Sequence, residues 1–107
     1  MISSLKSREK IELLFEKGTL IKEDGLFLKI YNFKDNEIKF GVAVSKKLFP
    51  SAVKRNLIKR RVREQVRSSG FLKNFLKGSS FFIVYSSENT LSSKEIKKKL
   101  LALALKI

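Results

Sequence analysis

The chain has 107 residues, 43% of them hydrophobic, and a formal net charge of +14 from 24 Lys and Arg against 10 Asp and Glu. That length suits one domain, residues 1–107, with enough apolar side chains for a core, and its surplus positive charge calls for a polyanionic partner, of which nucleic acid is the commonest. The chain has no Cys and no His, which excludes disulfides, thiolate metal sites and the most common general base.

Ser7 is placed to cap a first helix running to about Lys17, with Ile11, Leu14 and Phe15 on one face. The start, Met1 to Lys10, is polar and lacks the apolar stretch of a signal peptide. No apolar run approaches the roughly 18 residues of a spanning helix. A cytoplasmic protein with no membrane role is therefore expected. Gly18 suits the left-handed position just past the helix end. A short strand is expected near Thr19 to Lys22. Beyond it Leu26, Leu28 and Ile30 alternate with Phe27, Lys29 and Tyr31, a strand period of two. A turn near Lys34 to Glu37 leads to a strand from Ile38 to Ser45. That strand puts Phe40, Val42 and Val44 on one face and Gly41, Ala43 and Ser45 on the other.

Pro50 breaks the chain before a second helix, with Ser51 as its N-cap and Gly70 marking its end. Phe71 to Lys77 reads equally as loop or short helix. Ser80 to Tyr85, β-branched and aromatic, reads as a buried strand. Ser92 and Glu95 form a capping box for a last helix through Ile96, Leu100, Leu103 and Ala104. The order αβββαβα predicts an α+β fold, a two-layer sandwich of helices on a mostly antiparallel four-stranded sheet.

The acids do not converge. Glu23 and Asp24 are adjacent, and Asp35 and Glu37 sit in the expected turn. A two-metal nuclease needs several carboxylates around one point, so no catalytic residue and no metal ligand is assigned.

The second helix carries the densest charge. Residues 45–67 hold Lys46, Lys47, Lys54, Arg55, Lys59, Arg60, Arg61, Arg63 and Arg67, nine bases against the single acid Glu64. Arg55, Lys59, Arg63 and Arg67 recur every four residues and so line one side of the helix, while Ile58, Val62 and Val66 form an adjoining apolar stripe. The result is a basic ridge on a folded body, suited to phosphate oxygens. Truncating Arg55 or Lys59 is expected to leave the fold intact, because both lie off the apolar stripe. Phe27 and Tyr31 share a strand face with Lys29, a combination that single-stranded bases can stack on. Phe15 serves equally well as a core residue or as a stacking ring.

The run Phe40-Gly41-Val42-Ala43-Val44-Ser45-Lys46-Lys47, then Ala52-Val53-Lys54-Arg55-Asn56, Lys59-Arg60 and Arg63-Glu64, resembles the signature of the bacterial ribonuclease P protein subunit. Phe15-Glu16-Lys17-Gly18 resembles the helix end near the N-terminus of that family. Two positions depart from the family pattern. Leu57 stands where Arg-Asn-Arg would place a second arginine, and the turn Leu48-Phe49-Pro50-Ser51 is one residue longer than usual.

The resemblance implies a left-handed βαβ crossover, a rare exception to the handedness rule, and an accessory subunit of an endoribonuclease. In such an assembly the catalyst is a large RNA that holds the Mg²⁺, and the reaction removes the 5′ leader of precursor tRNA. Carried over, Lys46, Lys47, Lys54, Arg55, Asn56, Lys59, Arg60, Arg63 and Arg67 would contact the catalytic RNA. Ile11, Phe15, Phe27, Lys29, Tyr31 and Ser45 would line the leader cleft. No protein partner is required by this reading. The competing readings are a structural RNA-binding protein of ribosomal type, a protein-only nuclease and a cationic membrane-surface protein. Missing His and scattered acids oppose the nuclease, and the mixed α/β pattern opposes the membrane protein.

Overall fold

The computed structural model describes residues 2–5, 7–34, 37–75 and 78–107. Asp35 and Asn36, in the turn expected near Lys34 to Glu37, and Leu76 and Lys77, at the end of the ambiguous stretch, lie outside the described residues. The elements in chain order are β1 (Ile2–Ser4), α1 (Arg8–Lys17), β2 (Thr19–Glu23), β3 (Leu26–Asn32), β4 (Ile38–Val44), α2 (Ala52–Ser68), a 3₁₀ turn (Phe71–Asn74), β5 (Ser79–Tyr85) and α3 (Ser93–Ala104).

The strands form one sheet in the order β1-β4-β5-β3-β2. β2 with β3 and β3 with β5 are antiparallel, whereas β1 with β4 and β4 with β5 are parallel. The sheet is thus mixed rather than mostly antiparallel. The parallel pair follows from the connection, because a strand that returns through α2 enters its neighbour in the same direction. The three-residue β1 adds a fifth strand at the edge, too short for any periodic signal in the sequence.

Register sorts the side chains onto two faces. Leu28, Ile83 and Val42 stand in one row across β3, β5 and β4, flanked by the rows Leu26, Tyr85, Val44 and Ile30, Phe81, Phe40. This face is buried beneath Ile58, Val62 and Val66 of α2 and Ile96, Leu100 and Leu103 of α3. Each fully buried aliphatic side chain contributes about 1.5–3 kcal/mol. The opposite face carries the rows Phe27, Val84, Ala43 and Lys29, Phe82, Gly41. α1 lies against this second face through β3 and β5, with Leu14 fully buried.

The helix starts are those the sequence predicts. The Oγ of Ser7, Ser51 and Ser92 accepts from the backbone N–H of Lys10, Lys54 and Glu95, at 3.4, 3.4 and 3.2 Å. Glu95 completes the capping box by accepting from the Ser92 N–H. Gly70 adopts the left-handed conformation beyond α2, with φ 79°. Gly18 does not, and its φ is −67°. It is required for space instead, since a Cβ there would stand 2.3 Å from the Leu14 carbonyl oxygen and 2.9 Å from that of Ile30.

Candidate nucleic-acid interface

α2 follows from its sequence. The stripe of Ile58, Val62 and Val66 docks inward at zero exposure and leaves the charged positions at the surface. Lys54, Asn56, Arg60, Arg63 and Arg67 are exposed, and Arg55 and Lys59 are half-buried. Lys46 and Lys47 extend the basic surface from the turn after β4, where the Ser45 Oγ accepts from the Lys47 N–H at 3.1 Å. The Arg67 guanidinium stands 5.9 Å from the centre of the Phe40 ring, within cation–π range.

Arg55 departs from a simple surface ridge. Its Nη1 donates to the carbonyl oxygens of Phe49 and Pro50 at 2.8 and 2.9 Å. The guanidinium therefore ties the first turns of α2 to the turn that precedes them, a structural tie that its place off the apolar stripe did not indicate. Lys59 has no comparable tie among the described residues. Arg61, beside the ridge, donates from Nη1 to the Leu91 carbonyl at 2.8 Å and binds α2 to the start of α3.

The second surface is the face of the sheet away from α2 and α3. Phe27, Lys29 and Tyr31 share it, all half-buried. Phe15 reaches it from α1 and is 36% exposed, and Ile11, one turn earlier, is half-buried. The Lys29 Nζ donates to the Phe15 carbonyl oxygen at 3.0 Å. This places an ammonium at the negative end of the α1 dipole and fixes the helix over the strand. Ser45, just past β4, is exposed and serves the following turn.

Two aromatic residues on this surface were not anticipated from the sequence. Phe82 is half-buried in the centre of the face, its ring 5.4 Å from that of Phe15. Phe33 packs edge-on against Tyr31 at 4.8 Å, with the Lys10 Nζ 5.3 Å from its centre. The run Ser80 to Tyr85 conceals Phe82, because both of its faces are apolar. The alternation Phe81, Ile83, Tyr85 against Ser80, Phe82, Val84 was the available signal. At the β2 end of the face an open hollow of about 450 Å³ is lined by Leu20, Lys22, Phe27, Lys29 and Ser86, among others.

β4 joins the two surfaces. Gly41 and Ala43 floor the sheet face, and the chain runs on through Ser45, Lys46 and Lys47 to the cap of α2 at Ser51. Glu23 also lines the hollow at the β2 end. The Asp24 backbone N–H, and then Lys106 at 3.3 Å, hold the Glu23 carboxyl below its ordinary range. Asp24 stands 3.8 Å from Lys99. Among the described residues no group of three or more Asp or Glu side chains could hold a metal ion. No helix among them is long and apolar enough to cross a membrane.

The family model described as Ribonuclease P matches residues 2–107. The chain belongs to the ribonuclease P protein family. The ribonuclease P protein component of Borreliella burgdorferi is 31% identical over 105 residues, covering 96% of this chain and 87% of the relative. That of Bacillus velezensis is 33% identical over 98 residues, covering 90% and 81%. The solved ribonuclease P protein of Thermotoga maritima superposes with a TM-score of 0.80 at 23% identity, over 97% of this chain and 96% of that one, which establishes a shared fold. The motifs that carry the resemblance to ribonuclease P proteins fall largely on β4 and α2. Phe40 to Val44 is β4, and Arg55-Asn56, Lys59-Arg60 and Arg63-Glu64 are all on α2.

Proposed function

We propose that this chain is the protein subunit of a ribonuclease P, assisting removal of the 5′ leader from precursor tRNA in the cytoplasm. The α2 ridge, from Lys46 and Lys47 through Lys54, Arg55, Asn56, Lys59, Arg60, Arg63 and Arg67, binds the catalytic RNA. The opposite sheet face takes the single-stranded leader. The observation that supports this most is the pairing of Phe27, Tyr31 and Phe82 with Lys29 on one open face, closed at one side by Phe15. Stacking surfaces beside a cation are what unpaired bases require.

The chemistry belongs to the RNA. Mg²⁺ held there and by the substrate would supply an activated water, and the residues of this chain orient and neutralise. The exposed cations of α2 displace counterions from the RNA, which makes assembly salt-dependent. Lys29, fixed by the Phe15 carbonyl, keeps its charge on the face without a search over rotamers.

The test is reconstitution. The purified protein alone is expected to leave precursor tRNA intact, and a bacterial ribonuclease P RNA with Mg²⁺ is expected to restore cleavage. Cleavage by nuclease-treated, RNA-free protein would overturn the proposal. A structural protein of ribosomal type shares the charge but needs no leader surface. Sequencing the RNA that copurifies with the native protein separates the two.

A further inference from the structure

α2 carries a feature that a phosphate-binding ridge does not explain. Val53 is 79% exposed, the most exposed large apolar side chain of the helix. Val53 and Leu57, one turn apart, line an open hollow of about 440 Å³ together with Asn56 and Arg60. The spacing i, i+3, i+4, i+7 makes these four side chains one continuous patch on the solvent side of the helix. Two apolar walls, a primary amide and a guanidinium form a poor cradle for phosphate, which gains nothing from Val or Leu.

We propose that this hollow receives one unpaired nucleobase of the RNA that α2 binds, an inference that rests on the function proposed above. A base fits each element of the patch. Its flat apolar face covers Val53 and Leu57, and its edge meets the Asn56 amide, which offers both a donor and an acceptor. Arg60 can stack on the ring or bind its 5′ or 3′ phosphate.

Charge selects RNA over an apolar protein surface as the occupant. Arg60 lines the hollow, Lys54, Lys59 and Arg61 neighbour its residues along the helix, and Glu64 is the only acid of α2. A protein partner would desolvate these cations without compensation, whereas a nucleotide brings its own anions. The base must be unpaired, because the flat face of a base stacked in an A-form duplex is not open to Val53 and Leu57.

The experiment uses a ribonuclease P RNA transcript and measures affinity across a salt series. Val53→Ala and Asn56→Ala are each expected to weaken binding about three- to tenfold, as lost apolar and edge contacts would. The slope of log K against log salt should stay that of wild type, because no phosphate contact is removed. Arg63→Ala is expected to lower that slope. Unchanged affinity for both hollow variants, with Arg63→Ala still reducing the slope, overturns the base site and leaves α2 as the RNA interface. If Arg63→Ala and Lys59→Ala are also silent, the function proposed above fails with it.

A second measurement reads the occupant directly. The chain has no Cys, so Val53→Cys gives a unique thiol for a photoreactive aryl azide. A crosslink to one unpaired nucleotide of the transcript supports the site. Crosslinks scattered along duplex backbone, or none in a complex that still forms, overturn it.

Discussion

The ring of Phe82 lies directly over Gly41, so that a Cβ at position 41 would stand 2.4 Å from the ring Cε2. The absence of a side chain on β4 is what lets an aromatic ring of β5 lie against the sheet floor and remain available on its outer side. Gly41→Ala is expected to swing Phe82 off that floor. Overpacking of this kind costs about 1–3 kcal/mol. Thermal melting should show a modest loss, and the assembled enzyme should lose part of its preference for precursor over mature tRNA. Full retention of that preference in a folded variant would remove Phe82 from the leader surface.

Phe82→Ala and Tyr31→Ala test the same face without altering the backbone. Each is expected to shrink the difference in affinity between precursor and mature tRNA by about 1–3 kcal/mol, the worth of one base stack. Lys59→Ala should leave that difference intact in any enzyme that assembles. The comparison requires circular dichroism first, since Phe82 also touches Phe15.

Arg55→Ala and Lys59→Ala should separate stability from binding. Arg55 holds the Phe49 and Pro50 carbonyls, and losing charge-assisted bonds at a half-buried site costs about 1–2 kcal/mol. Lys59→Ala should change stability by less than about 0.5 kcal/mol. Both should weaken binding to the catalytic RNA. Equal melting temperatures for the two variants would contradict the clamp.

Tyr85 offers a pH-dependent probe. Its hydroxyl donates to the Asn89 carbonyl and accepts from the Leu91 N–H at 2.9 Å, fixing the loop between β5 and α3. Burial raises its pKa above the ordinary value of 10.0. The folded state therefore favours the neutral phenol. The stability this brings is complete below pH 10 and is lost as pH rises through the folded-state pKa. Tyr85→Phe should abolish that component of the alkaline decline. It should also cost about 1–3 kcal/mol at neutral pH by leaving the Leu91 N–H without its acceptor. Denaturant unfolding between neutral and alkaline pH reads both effects.

Much of this architecture was legible where one face is apolar and the other is not. The stripe Ile58, Val62, Val66 defined the buried side of α2, and the serine caps defined the helix starts. Phe27, Lys29 and Tyr31 were assigned to one face by simple alternation, and the register agrees. Phe82 was hidden because its strand is apolar on both sides, so a period of two leaves no contrast. The role of Arg55 was hidden for a different reason. Its partners are backbone carbonyls of a turn, and no side-chain pattern reports where a carbonyl points. Gly18 was assigned to a left-handed turn because glycine signals both conformational freedom and close approach, and only the Leu14 and Ile30 carbonyls tell them apart.

The passage from β4 into α2 contains no flexible linker. Ser45 caps the turn, Phe49 is buried, and Arg55 grips the two residues before the helix cap. The separation between the sheet face and the helix ridge is therefore fixed by packing and hydrogen bonds, like two marks on a rigid ruler. An RNA seated on one mark presents its distance to whatever lies on the other. Inserting a single residue between Lys47 and Ser51 would leave every contact residue in place and still shift the gauge, so an enzyme built with it should misplace its cut before it loses affinity.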